Sequence, residues 1–138
     1  MTELLSIIYV STAVNPLNDS ELEELLIDAR GFNRAKGITG VLLYADGNFL
    51  QCLEGPVDSV LLAYKRIQSS RRHKGLIELN RAQVQQRSFE SWEMGLSRPN
   101  KAEFISISNA LSLASEKDPS SIIAIEFMKT FIATTASN

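Results

Sequence analysis

Two β-forming runs set close together constrain this chain more than any other stretch. Ile38-Thr39-Gly40-Val41-Leu42-Leu43-Tyr44 and Phe49-Leu50-Gln51-Cys52-Leu53 flank Ala45-Asp46-Gly47-Asn48, a pattern that predicts a β-hairpin turning at Asp46-Gly47. Alternate side chains of a strand share a face, so Phe49, Gln51 and Leu53 point the same way. If that face is the core, the Gln51 amide must have partners there, because leaving it unpaired costs roughly 1–3 kcal/mol.

With 138 residues, 44% hydrophobic and 22% charged, the chain has the length and balance of one globular domain. A net charge of −2 argues against a general nucleic-acid or anionic-membrane binder. Cys52 is the only cysteine, which excludes an internal disulfide and a cysteine metal site and makes the cytoplasm the default location. Thr2-Glu3 leads directly into Leu4-Leu5, unlike a signal peptide, and no apolar run reaches membrane-spanning length.

Leu4 to Val10 reads as a first strand with two largely apolar faces, Leu5, Ile7 and Tyr9 on one and Leu4, Ser6, Ile8 and Val10 on the other. Ser20-Glu21-Leu22-Glu23 has the form of a capping box opening a helix to about Lys36. Leu22, Leu25, Leu26 and Ala29 form its apolar stripe, Asn33 continues it, and Gly37 stops it. After the hairpin, Gly55-Pro56 leads into a second helix with Val57, Val60, Leu61, Tyr64 and Ile67 on its apolar face. Leu76 to Arg87 reads as a strand with an irregularity near Asn80-Arg81, and Ser91 to Leu96 as a short last strand on which Trp92 and Met94 share a face.

The order βαββαββ predicts an α+β, ferredoxin-like sheet with two helices on one face. The other face would expose Leu4, Ile8, Val10, Leu50 and Cys52 unless covered. Two C-terminal helices can cover it, one around Phe104, Ile107 and Leu111 and one from Asp118-Pro119 carrying Ile122 to Ile132. The expected division is a main domain over 1–98 and a helical cap over 99–138 packed on it. The second terminal helix is apolar over more than one stripe, and a homodimer or larger homo-oligomer is expected.

Several polar groups point inward on the helix-covered face: Tyr9, Gln51 and Asn33, with Trp92 and Met94 beside them. Singly, Tyr9 is compatible with a core tyrosine, Asn33 with a helix terminus, and Trp92 and Met94 with core filler. Gln51 is harder to explain so, because interior glutamines are uncommon. Together they suggest a ligand with hydrogen-bonding edges, a planar heteroaromatic ring, held between the helices.

The chain resembles the BLUF family of flavin-based blue-light sensors. The matching residues are Tyr9, Phe32-Asn33-Arg34, Gly37-Ile38-Thr39-Gly40-Val41-Leu42-Leu43-Tyr44, Gly47 through Pro56, Arg72-His73, Ser88-Phe89 and Trp92-Glu93-Met94-Gly95. The resemblance implies a noncovalently bound flavin, usually FAD, with FMN or riboflavin as alternatives. It implies that Tyr9 is the photochemical electron donor, that Gln51 bridges Tyr9 and the ring, and that Asn33 holds the carbonyl side of the ring. His73 would lie beside the ring, Arg72 near the phosphates, and Leu25, Phe32, Phe49, Leu53 and Ile67 around it. Trp92 and Met94 would carry the light signal out to a separate downstream signalling protein. Several members have a polar residue where Phe32 stands, so this chain has one polar contact fewer.

Arg71 and Lys74 read equally well as solvated charges near a helix C-terminus. Cys52 points away from Gln51, so a Cys–His nucleophile with His73 is not expected, and no paired carboxylates suggest an enzyme. The competing reading is a ferredoxin-like binding or oligomerisation module without chromophore.

Overall fold

The Asp46-Gly47 turn forms as its residues dictate. In a computed structural model of the chain, which describes residues 3–87, 89, 94–97, 102 and 105, Asp46 has φ 49° and Gly47 φ 77°. Two successive positive φ values make the primed turn whose twist matches that of the strands it joins. The strands are β2 (Thr39–Ala45) and β3 (Asn48–Pro56), paired in the register Ala45↔Asn48, Leu42↔Gln51 and Thr39↔Glu54. Gly40 allows their close approach: a Cβ there would lie 1.9 Å from the Cys52 carbonyl oxygen.

The remaining elements are β1 (Leu4–Ala13), α1 (Asp19–Lys36), α2 (Val57–Gln68), β4 (His73–Val84) and β5 (Gly95–Ser97). The sheet order is β4-β1-β3-β2-β5; the first four strands pair antiparallel and β5 joins β2 in parallel. This is the predicted ferredoxin-like α+β arrangement. Leu5, Ile7, Tyr9, Leu42, Phe49 and Leu53 pack from the sheet against Leu22 and Leu26 of α1 and Val60, Ala63 and Tyr64 of α2. On the opposite face Ile8, Val41, Leu43, Leu50 and Cys52 are also fully buried. Of the predicted terminal helices, Ala102 and Ile105 are described and helical; the rest, with Trp92, lies outside the described residues.

Four details differ from expectation. The capping box of α1 is Asn18…Glu21, not Ser20…Glu23: Asn18 Oδ1 accepts from Glu21 N at 2.8 Å, and Glu21 Oε1 accepts from Asn18 N at 3.1 Å. Both tetrapeptides fit the local pattern; the Leu17 N–H, donating to the Tyr44 hydroxyl at 2.8 Å, fixes where the chain enters the helix. β4 starts at His73 rather than Leu76 because β1 runs on to Ala13, which pairs with His73. Its irregularity leaves Leu79 without a partner between the Ile8↔Asn80 and Tyr9↔Glu78 pairs. On α2, Leu61 is exposed and Ala63 takes the buried position.

The fourth difference concerns the last strand. Met94 precedes β5 rather than lying on it, yet its side chain is buried in the core. After β4, Arg87 and Phe89 are tied to β2 and β3. Glu54, fully buried, accepts from Phe89 N at 2.7 Å, and Arg87 Nη1 donates to Thr39 Oγ1 at 3.0 Å.

Candidate functional site

Between the two helices a cleft of about 230 Å³ opens onto the centre of the sheet. Leu42 of β2 and Gln51 and Leu53 of β3 form its floor; Leu25, Asp28, Ala29, Phe32 and Asn33 of α1 face Ala63, Arg66 and Ile67 of α2, and Ser70, Arg72 and His73 close one end. The helical spacing of Leu25, Ala29, Phe32 and Asn33 brings all four to one side of α1.

Tyr9 stands beside this floor, off the cleft lining. It pairs with Gln51 across the β1–β3 ladder, so the two side chains are neighbours on one face. The Tyr9 hydroxyl donates to Gln51 Oε1, and Gln51 Nε2 donates to the Met94 sulfur at 3.3 Å. Tyr9 is wholly buried, and burial, reinforced by Tyr64, pushes its phenol far above the ordinary range, so it is held as a proton donor. The Tyr64 ring lies 5.7 Å from that of Tyr9.

The Gln51 amide is incompletely satisfied. Its two N–H groups have, among the described residues, one thioether for an acceptor, and sulfur accepts weakly. An N–H on the floor of an apolar cleft, with the buried Asn33 amide on the same lining, fits a flat ring that carries acceptors along one edge. Arg66 and Arg72 fit an anionic tail.

His73 lies at the cleft's end with Nδ1 2.9 Å from Ser11 Oγ and its ring 4.8 Å from that of Phe49 and 6.5 Å from that of Tyr9. Burial and then the neighbouring Arg72 charge hold its pKa below the usual imidazole value. Phe49 sits behind His73 rather than on the cleft lining, packed also against Tyr44 at 4.9 Å. Cys52, on the opposite face, has its thiol pushed up by burial, and the Glu54 charge adds to this.

Of the residues singled out from the sequence, Leu25, Phe32, Asn33, Gln51, Leu53, Ile67, Arg72 and His73 line the cleft. Arg66 was missed; its guanidinium lies 3.9 Å from the Phe32 ring centre, where a more polar family position would leave no aromatic face to stack on. Arg66 comes to the cleft with Ala63, one turn before it on α2, a position the sequence pattern did not place on the inner face. Ser11 was also missed, because nothing local marks a strand serine whose partner lies 62 positions away.

A family model described as "Sensors of blue-light using FAD" matches residues 4–95. The chain belongs to the BLUF family. It is a blue-light flavin sensor domain, and related proteins show what such domains are joined to. The β subunit of photoactivated adenylate cyclase from Euglena gracilis is 36% identical over 90 residues, 65% of this chain and 10% of the relative. This BLUF domain thus spans about a tenth of the length of the curated relative it matches. The dark-state structure of BlrB, a BLUF protein, superposes with a TM-score of 0.71 at 26% identity, covering 97% of this chain and 98% of that one. Klebsiella pneumoniae BlrP1 with FMN and cyclic diGMP gives 0.65 at 25% identity, covering 94% of this chain and 34% of that one. Among the described residues no helix is long and apolar enough to cross a membrane.

Proposed function

We propose that the cleft holds the ring of a noncovalently bound FAD, and that Tyr9, Gln51 and Met94 convert its excitation into a change at β5. The Tyr9–Gln51–Met94 hydrogen-bonded chain running from the cleft floor carries this reading. A bound flavin supplies light absorption and an electron-accepting ring. Asn33 and Gln51 would hold its polar edge, Leu25, Phe32, Leu53 and Ile67 would flank it, and Arg66 and Arg72 would take phosphates, which favours FAD or FMN over riboflavin.

Tyr9 is the group placed to give up an electron to the excited ring, and its hydroxyl proton would be relayed through Gln51 Oε1 to the same ring edge, both returning to Tyr9 as the pair recombines. Rotating the Gln51 amide exchanges its two ends. Nε2 then faces the Tyr9 oxygen and the carbonyl faces Met94. A thioether has no hydrogen to donate, so Met94 loses its bond to Gln51 and the start of β5 is released. The state of β5 is passed on to a downstream signalling protein, with the domain acting as a cytoplasmic homo-oligomer.

The test is an absorption spectrum of purified protein after separate loading with FAD, FMN and riboflavin. A yellow protein with a small, reversible red shift under blue light is expected, lost in Tyr9→Phe and Gln51→Leu while flavin is retained. A chain that takes up none of the three flavins, or a photocycle that survives either substitution, would overturn the reading.

A further inference from the structure

Met94 is gripped from two sides. Its sulfur accepts from Gln51 Nε2 at 3.3 Å, and its backbone carbonyl accepts from Arg30 Nε at 3.1 Å. Arg30 belongs to α1, one turn before Asn33, is half-buried, and does not line the cleft. The residue after Met94 is Gly95, which opens β5 and pairs with Val41 of β2.

The two grips differ in strength. A thioether is a weak acceptor on a side chain with three rotatable bonds, and β5 has just three residues in its ladder. A guanidinium–carbonyl bond is charge-assisted and correspondingly stronger than a neutral one. The weaker bond is the one that depends on which way Gln51 points, and it forms only while the Met94 backbone is kept near β3.

We propose that Arg30 is a positioning residue for the sensor: it clamps the Met94 carbonyl so that the thioether stays within reach of the Gln51 amide and β5 stays in register with β2. The use of this clamp in signalling rests on the function proposed above; the clamp itself is a contact within the chain. It also ties a change at Met94 to α1, in addition to β3 and β5.

The test uses the full chain, flavin-free, in the variants Arg30→Met, Arg30→Lys and Met94→Leu. Amide hydrogen exchange at Gly95, Leu96 and Ser97 is expected to quicken roughly tenfold in Arg30→Met, the factor that a lost charge-assisted hydrogen bond implies. Protection in β1 and β3 should hold, and Arg30→Lys should restore part of the loss. The Gln51 side-chain amide resonances should move in Arg30→Met in the same direction as in Met94→Leu, which removes the sulfur but keeps the backbone carbonyl. Unchanged exchange at 95–97, a uniform loss across β1 and β3, or unmoved Gln51 resonances would each overturn the proposal. Failure of the flavin reading shows separately, as an absence of absorbance in loaded wild-type protein.

Discussion

Tyr9 and Gln51 form a buried donor–acceptor pair whose members differ in access to water, and that difference predicts a specific non-additivity. Tyr9→Phe leaves Gln51 Oε1 without its donor, but Gln51 borders the cleft, where water can reach it in flavin-free protein. The cost should therefore be near the value of one ordinary hydrogen bond, about 1 kcal/mol. Gln51→Leu instead strands the Tyr9 hydroxyl, which is 0% exposed, so the cost should be about 2 kcal/mol, within the range for an unsatisfied buried group. In the double variant both partners are gone and both replacements are apolar. Its loss should be under about 1 kcal/mol, smaller than that of Gln51→Leu alone, giving a coupling of about 2 kcal/mol. Urea unfolding of the four flavin-free proteins measures this directly. With a slope of about 2 kcal/mol/M, Gln51→Leu should lower the midpoint by about 1 M and the double variant should recover half of that or more. Losses that add to within about 0.5 kcal/mol would refute the paired arrangement on which the site depends.

Two further outcomes follow from the same geometry. Asn18→Ala should cost about 1 kcal/mol of stability and Ser20→Ala almost nothing in the same urea assay, because Asn18 is the residue that caps α1; equal losses would restore the later capping box. His73 is the only histidine, so its imidazole resonances titrate unambiguously by NMR, and the midpoint should lie below the ordinary value of 6.5. A depressed pKa means that the unfolded chain takes up the proton first, so the His73 contribution is fully present above pH ~6.5 and is lost as pH falls through the folded-state value. The acid side of the stability curve should flatten in His73→Gln, and a midpoint above 6.5 would contradict the burial seen here.

Much of the fold was legible because its signals are local. Asp46-Gly47 forces the hairpin, the alternation of β3 puts Gln51 on the core face, and the stripe from Leu22 to Asn33 selects the inner side of α1. Where two local patterns competed, sequence could not arbitrate. Asn18…Glu21 and Ser20…Glu23 are equivalent as tetrapeptides, and the Tyr44 hydroxyl on another strand separates them. Likewise Arg72, His73 and Lys74 have poor strand propensity, yet His73 joins β4 because β1 offers its backbone as far as Ala13.

What the sequence by itself determined is the need: a glutamine amide on the core face of a central strand, a phenol and a second amide aimed at the same layer, and family motifs in order around them. What only the tertiary structure decided is who meets whom. The Tyr9–Gln51 pair, over a separation of 42, was implied by the family resemblance, but that Gln51 reaches Met94 over 43 and Arg30 reaches Met94 over 64 was not. Such pairs form when strand order β4-β1-β3-β2-β5 brings distant segments into register, and long-range hydrogen bonds, unlike periodicity or a local cap, leave no trace in the spacing of residues along the chain.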